Sequence, residues 1–158
     1  MDLKKILVPI DFSKFSDSAL EFAESLARES NAMLHIVHVK EPFHIYEADA
    51  RYGDLAPYAD LDNLKNALER IRPEDRSIEC HHWLVTGAAI QGIVDLAARE
   101  SIDLIVIGTH GRTGVMRVLM GSVAEGVLRK APCPVLTVKH HEPATAEDES
   151  VTSKASSS

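Results

Sequence analysis

The chain has 158 residues, 45% of them hydrophobic and 26% charged, which suits one soluble globular domain with a sizeable core. A formal charge of −7 argues against non-specific binding to nucleic acid or to an acidic membrane surface, so neither is expected as a partner. Cys80 and Cys133 are too few for a disulfide framework and no N-terminal apolar stretch reads as a signal peptide or membrane span, which makes a reducing cytoplasm the expected location.

In chain order, residues 4–10 (KKILVPI) read as a strand, and Asp11 stands at its C-terminal end. A helix is expected over residues 16–29, with Phe15, Ala19, Phe22, Ala23 and Leu26 recurring at helical spacing on one face. Residues 33–39 read as the next strand. The connection over residues 41–60 is too long for an ordinary link and holds Tyr46, Tyr52 and Tyr58; it reads as a mobile loop, with a lid or a partner surface as alternatives. A second helix over residues 61–72 turns Leu64, Leu68 and Ile71 inward and stops at Pro73.

Residues 77–86 alternate Ile78, Cys80, His82 and Leu84, which predicts a third strand with one face more buried than the other. Gly87 turns the chain into a helix over residues 89–100, with Ile90, Ile93, Val94 and Ala97 on its apolar face. Residues 103–107 (DLIVI) read as a buried strand. A glycine-rich connection, a helix ending near Lys130, the breakers Pro132 and Pro134, and a last strand over residues 135–139 complete the pattern. Residues 142–158 have little to bury, so a domain over residues 1–141 and a disordered polar tail are expected. Alternating strands and helices predict a single α/β domain, a five-stranded parallel sheet with right-handed crossovers and helices on both faces.

The stretch from Gly108 to Ser122, GTHGRTGVMRVLMGS, joins the fourth strand to the last helix. Glycine leaves no Cβ between backbone and ligand, and Gly121-Ser122 falls where free N–H groups and the positive end of a helix dipole gather, so the connection reads as a phosphate cradle. Ser122 can cap the helix or give its hydroxyl to a phosphate oxygen. Arg112, Arg117, Arg129 and Lys130 stand against Glu125 alone between residues 108 and 130, a basic patch in an acidic chain that suits an anion or a solvated face. The nucleotide loop GxxxxGK[ST] is excluded because no lysine precedes Ser122. The dinucleotide fingerprint is excluded because nine residues separate Gly111 from Gly121.

The spacing Gly-x2-Gly-x9-Gly-Ser, with Asp11 near the N-terminus, resembles the ATP-binding branch of the universal stress protein family, and the resemblance runs over residues 4–139. It implies the strand order 3-2-1-4-5, which puts Asp11 and Gly108 beside one another at the switch point of the sheet. It implies a site made by Pro9, Ile10, Asp11 and the main chain of Val39 at the nucleoside end, with Ile107, Gly108, His110, Gly111, Arg112, Gly121, Ser122 and Val123 along the phosphates. ATP is the implied ligand, with Mg2+ or Mn2+ carried on its phosphates, and a homodimer through Val135, Leu136, Thr137 and Val138 is the implied assembly. Asp11 either meets the nucleoside or caps the first helix.

Spacing assembles no Ser-His-Asp set, carboxylate pair or CxxC, and the adjacent histidines His81-His82 and His140-His141 would point to opposite faces of their strands rather than chelate a metal. The glycine loop also lacks the carboxylate that phosphoryl transfer would need. The expected function is a nucleotide-dependent sensor or regulator in stress response, with slow or no hydrolysis and with an unidentified protein client. A slow ATPase, a kinase-like enzyme, or a structural dimer with an empty site are the alternatives.

Overall fold

The computed structural model describes residues 2–42, 61–111 and 120–140; the expectations for residues 43–60, for Arg112 and for the tail lie outside these. Five strands, β1 (Lys5–Pro9), β2 (Met33–Lys40), β3 (Cys80–Thr86), β4 (Leu104–Gly108) and β5 (Val135–Val138), pair in parallel in the order β3-β2-β1-β4-β5. The helices are α1 (Lys14–Ser30), α2 (Leu61–Arg70), α3 (Ala89–Arg99) and α4 (Ser122–Lys130). One core gathers Ile6, Val8, Leu34 and Ile36 with residues of α1 and α2, and the other gathers Leu7, Val37, Ile105 and Ile107 with residues of α3 and α4. With Ile6, Leu7 and Val8 all at 0% exposure, β1 is covered on both faces, as an apolar run in a parallel sheet requires.

The helices differ from expectation where side-chain size or capping intervenes. α1 begins at Lys14 because Ser13 is its N-cap, its hydroxyl accepting from the Ser16 N–H. Phe15, Ala19, Ala23 and Ala27 form the buried stripe, and Phe22, expected inward, is 45% exposed. The alanines let the helix axis approach the sheet closely, and a phenylalanine at the margin of that stripe is left outside. Gly126 does the same for the pair of helices on the other face, since a Cβ there would overlap the Ile90 side chain.

The third strand also differs. It starts at Cys80 rather than Ser77, because the Ser77 N–H and hydroxyl both donate to Asp75 Oδ1, at 3.0 and 2.6 Å, and hold residues 75–77 in a turn. Nor is one face the buried one: Cys80 and Leu84 pack on the α1 side while Trp83 and Val85 pack on the α3 side. Between β2 and β4, β1 marks the point where strand order reverses, the place at which open α/β sheets form a crevice beyond their strand C-termini.

Candidate functional site

Asp11 leaves β1 at this crevice, and its carboxylate is held from its own side. Oδ1 accepts from the Ser13 N–H at 3.0 Å and from the Ser13 hydroxyl, and the Asp11 N–H donates to Ser16 Oγ. The helix cap is therefore Ser13, and Asp11 braces that cap instead of making it. Between them Phe12 adopts φ 63°, a left-handed conformation that a bulky side chain takes only when its surroundings hold it there. Burial, with the Asp11 charge beside it, raises the Asp17 carboxyl above the ordinary range, while His140 acts the other way. Two carboxylates, Asp11 and Asp17, thus stand on the α1 side of the crevice.

The glycine connection approaches from the other side. A Cβ on Gly111 would lie 3.1 Å from Asp11 Oδ2, so the loop and the carboxylate are in contact although a hundred residues separate them in sequence. Gly121 closes the loop: its N–H donates to the Thr109 carbonyl at 2.6 Å, and a Cβ there would stand 3.4 Å from that oxygen and 3.6 Å from Gly111 N. Its φ of −70° is open to any residue and a Cβ would make only ordinary contacts, so neither conformation nor the described neighbours require glycine at this position. Gly108 differs. A Cβ there would sit 2.7 Å from the Phe15 carbonyl oxygen, which makes this glycine a requirement of α1 packing on β4.

Helix N-termini at this end are not equivalent. α1 has Ser13, and the first N–H of α3, from Ala89, donates to Glu41 Oε1 at 3.1 Å. α4 starts after Gly121, which brings no capping side chain, and the first intrahelical bond is from the Glu125 N–H to the Gly121 carbonyl. The N–H groups of Ser122, Val123 and Ala124 therefore meet no acceptor among the described residues, at the mouth of the crevice and with the dipole adding its partial positive charge.

The remaining predicted residues fall around this opening. Pro9 ends β1 and Ile10, 2% exposed, follows it, and Ile107 is buried in β4. His110 turns its ring back onto Phe15, with centroids 5.4 Å apart, and its Nδ1 lies 3.0 Å from Thr109 Oγ1. Val123 packs its side chain against the α3-side core, and Ser122 is exposed at the first helical position. Val39 packs against that core too, its methyl groups 3.2 Å from where a Gly92 Cβ would be.

Three residues of the site went unremarked in the sequence. Thr109, 4% exposed, ties the loop to β5 through its N–H to Val138 O and to α4 through its carbonyl. Ser13 carried a signal, since Asp-x-Ser is an Asx-turn pattern. His38, 7% exposed with Nδ1 at 2.7 Å from the Ile10 carbonyl, sits in an apolar strand where its neighbours give no such signal.

Residues 2–139 match the family model described as the universal stress protein family. Universal stress protein MJ0531 of Methanocaldococcus jannaschii is 35% identical over 140 residues, covering 86% of this chain and 82% of its own. The solved structure of MJ0577 from the same organism superposes with a TM-score of 0.75 at 30% identity, over 90% of this chain and all of that one. A universal stress protein of Archaeoglobus fulgidus, solved in complex with dAMP, superposes with a TM-score of 0.60 at 29% identity, over 88% of this chain and all of that one.

Proposed function

Because the chain belongs to the universal stress protein family, we propose that it binds ATP in the crevice between Asp11 and the α4 N-terminus and acts as a nucleotide-dependent sensor or regulator in the cytoplasm. The observation that carries this reading is the contact of Gly111 with Asp11 beside three unanswered N–H groups, because it puts an acceptor for sugar hydroxyls and donors for phosphate on opposite sides of one opening. In this arrangement Pro9, Ile10, Asp11 and the Val39 main chain take the nucleoside. Gly108, His110, Gly111, Arg112, Gly121, Ser122 and Val123 run beside the phosphates, with Ile107 beneath, and Mg2+ or Mn2+ rides on the phosphates.

Turnover is slow or absent in this reading. Among the described residues the α4 N-terminus brings N–H donors and a hydroxyl, and the carboxylate of its first turn, Glu125, is engaged by Arg129 at 2.8 Å rather than free to orient an attacking water or hold a metal. Calorimetry on nucleotide-stripped protein tests both statements. ATP binds to wild type, and Gly121→Val abolishes binding with the fold intact, since its side chain enters phosphate space at a conformation valine tolerates. Equal affinities for the two proteins sink the cradle, and turnover at about 1 per second or faster sinks the regulatory reading.

A monophosphate is the second reading, supported by the dAMP complex of the Archaeoglobus fulgidus relative, and titrating AMP beside ATP separates the two. For assembly, β5 is an edge strand of four half-buried residues, Val135, Leu136, Thr137 and Val138, and self-pairing about a two-fold axis covers both copies. Leu136→Lys then shifts the homodimer to monomer in light scattering at micromolar concentration, and a wild type that is monomeric there contradicts the proposal. The client protein is proposed without identity.

A further inference from the structure

The main-chain groups of β2 alternate between its two neighbours. Even-numbered residues face β3: the Leu34 N–H donates to Glu79 O, and Lys40 O accepts from the Gly87 N–H. Odd-numbered residues face β1: the Met33 N–H donates to Lys4 O, and Val37 O accepts from the Ile10 N–H at 2.7 Å. In a parallel ladder the next rung runs from the Val39 N–H to the Ile10 carbonyl. That rung is missing. The Ile10 carbonyl accepts instead from His38 Nδ1 at 2.7 Å, and since a carbonyl only accepts, the hydrogen is on Nδ1. Phe12 then turns away at φ 63° and lays its ring on the His38 imidazole, with centroids 4.8 Å apart. The Val39 N–H and C=O are left facing the crevice without a partner among the described residues.

We infer that His38 is a positioning residue that ends the β1–β2 ladder at Ile10 and so keeps the Val39 main chain open to read the edge of a purine. The inference rests on the proposed nucleotide reading and deepens it, because it says what makes the base half of the site selective. One N–H donor beside one C=O acceptor matches adenine, whose N1 accepts and whose N6 amino group donates. Hypoxanthine presents the reverse, an N1–H donor and an O6 acceptor, and would leave both main-chain groups facing their own kind. A site built on hydrogen bonds rejects the mismatched analogue strongly because its polar groups are then left unpaired.

His38→Leu and His38→Asn test this. Leucine fills the volume and keeps contact with Phe12 but donates nothing, so the Ile10 carbonyl returns to the ladder and captures the Val39 N–H. Asparagine keeps an N–H donor near the position of Nδ1. ATP, inosine triphosphate and inorganic triphosphate are titrated into each protein, and amide exchange at Val39 is followed without ligand. Wild type is expected to prefer ATP over inosine triphosphate by about tenfold or more, the size of one to two hydrogen bonds. His38→Leu should lose that preference, leave inorganic triphosphate within twofold of wild type, and slow exchange at Val39, while His38→Asn restores the preference. An unchanged preference in His38→Leu overturns the inference, as does an equal loss of ATP and inorganic triphosphate or an asparagine variant that behaves like leucine. A wild type that binds no nucleotide fails at the first titration and removes the proposed function with it, whereas binding without dependence on His38 removes this inference alone.

Discussion

The two ends of the sheet treat their polar groups in opposite ways. At the N-terminal ends of the strands Asp103 Oδ2 accepts from the Lys4 and Lys5 N–H groups, both at 2.9 Å, and the Lys5 ammonium donates to the Glu100 carbonyl at 2.8 Å. Glu24, 7% exposed, accepts from the Glu74 and Asp75 N–H groups at 3.0 and 2.9 Å and from Arg28 at 3.0 Å. A hollow of about 550 Å³ lies at this end too, but Lys4 and Arg28 in its wall already pair with Asp2 and with Glu24 and Asp75. At the C-terminal ends the Val39 main chain and the first turn of α4 meet no partner among the described residues, and Phe12 holds a strained conformation. Among the described residues, folding answers most polar groups at one end with the chain's own partners and leaves main-chain groups open at the other, where the proposed nucleotide would answer them.

That contrast predicts a separation of effects, and the largest belongs to the closed end. Glu24→Ala strips the acceptor from two backbone N–H groups and a guanidinium at a site with little access to water, so it should lower unfolding free energy by about 2–4 kcal/mol. Chemical denaturation measures this, and the fraction that remains folded should bind ATP as wild type does. A large loss of affinity without loss of stability would erase the distinction between the ends.

Asp11→Ala, at the open end, should do the converse. A carboxylate that meets sugar hydroxyls or the base edge is worth about 1.5–3 kcal/mol in binding, so ATP, ADP and AMP should all weaken by roughly ten- to a hundredfold. Stability should change by less than that, since Ser13 and not Asp11 is the helix cap. Ser122→Ala sharpens the comparison within the site, with a smaller effect of about 0.5–1.5 kcal/mol that falls on ATP more than on AMP. Three titrations on each variant read both statements, and a loss in Asp11→Ala confined to ATP contradicts the assignment.

Periodicity carried the fold well because its signals are local. The apolar runs at residues 4–10 and 103–107 read as buried strands, and the glycine spacing fell between a strand and a helix, where the structure has β4 and α4. The expected adjacency of Asp11 and Gly108 came from strand order, which resemblance supplied and periodicity alone does not contain, and the structure brings Asp11 against Gly111 of the same loop. What stayed illegible depends on partners distant in sequence. Gly108 reads as a ligand glycine, and its second reason, packing, shows only when the Phe15 carbonyl oxygen is seen 2.7 Å from where its Cβ would be, just as the place of His38 shows only when the Ile10 carbonyl is seen to leave the ladder. Phe22 misled for the opposite reason, because helical spacing admits it to the inward face and only the alanine stripe decides against it.

The smallest predicted effect concerns a buried side-chain nitrogen, towards the closed end, that no described residue satisfies. His35, 2% exposed, accepts from Trp83 Nε1 on its Nδ1 at 3.1 Å, so its hydrogen is on Nε2, which meets no partner among the described residues. Burial first, then the neighbouring His81 and Lys5, lower its pKa below the ordinary 6.5, against a weaker opposing influence of Glu100. Arg99, stacked over Trp83 at 5.3 Å, adds a further positive charge on the α3 side. The folded state therefore keeps His35 neutral while the unfolded chain takes up a proton below about pH 6.5, and stability must fall as pH drops from there towards the folded pKa. One proton held by the unfolded chain alone gives a slope of at most about 1.4 kcal/mol per pH unit. His35→Asn, whose amide oxygen can accept from Trp83 without titrating, should flatten the pH dependence of unfolding free energy between pH 6.5 and 5. The nucleotide affinities at neutral pH should not move, because the residue belongs to the end of the sheet that the ligand never reaches. If the variant keeps the full wild-type slope, the acid sensitivity of the fold lies with other groups and His35 is silent.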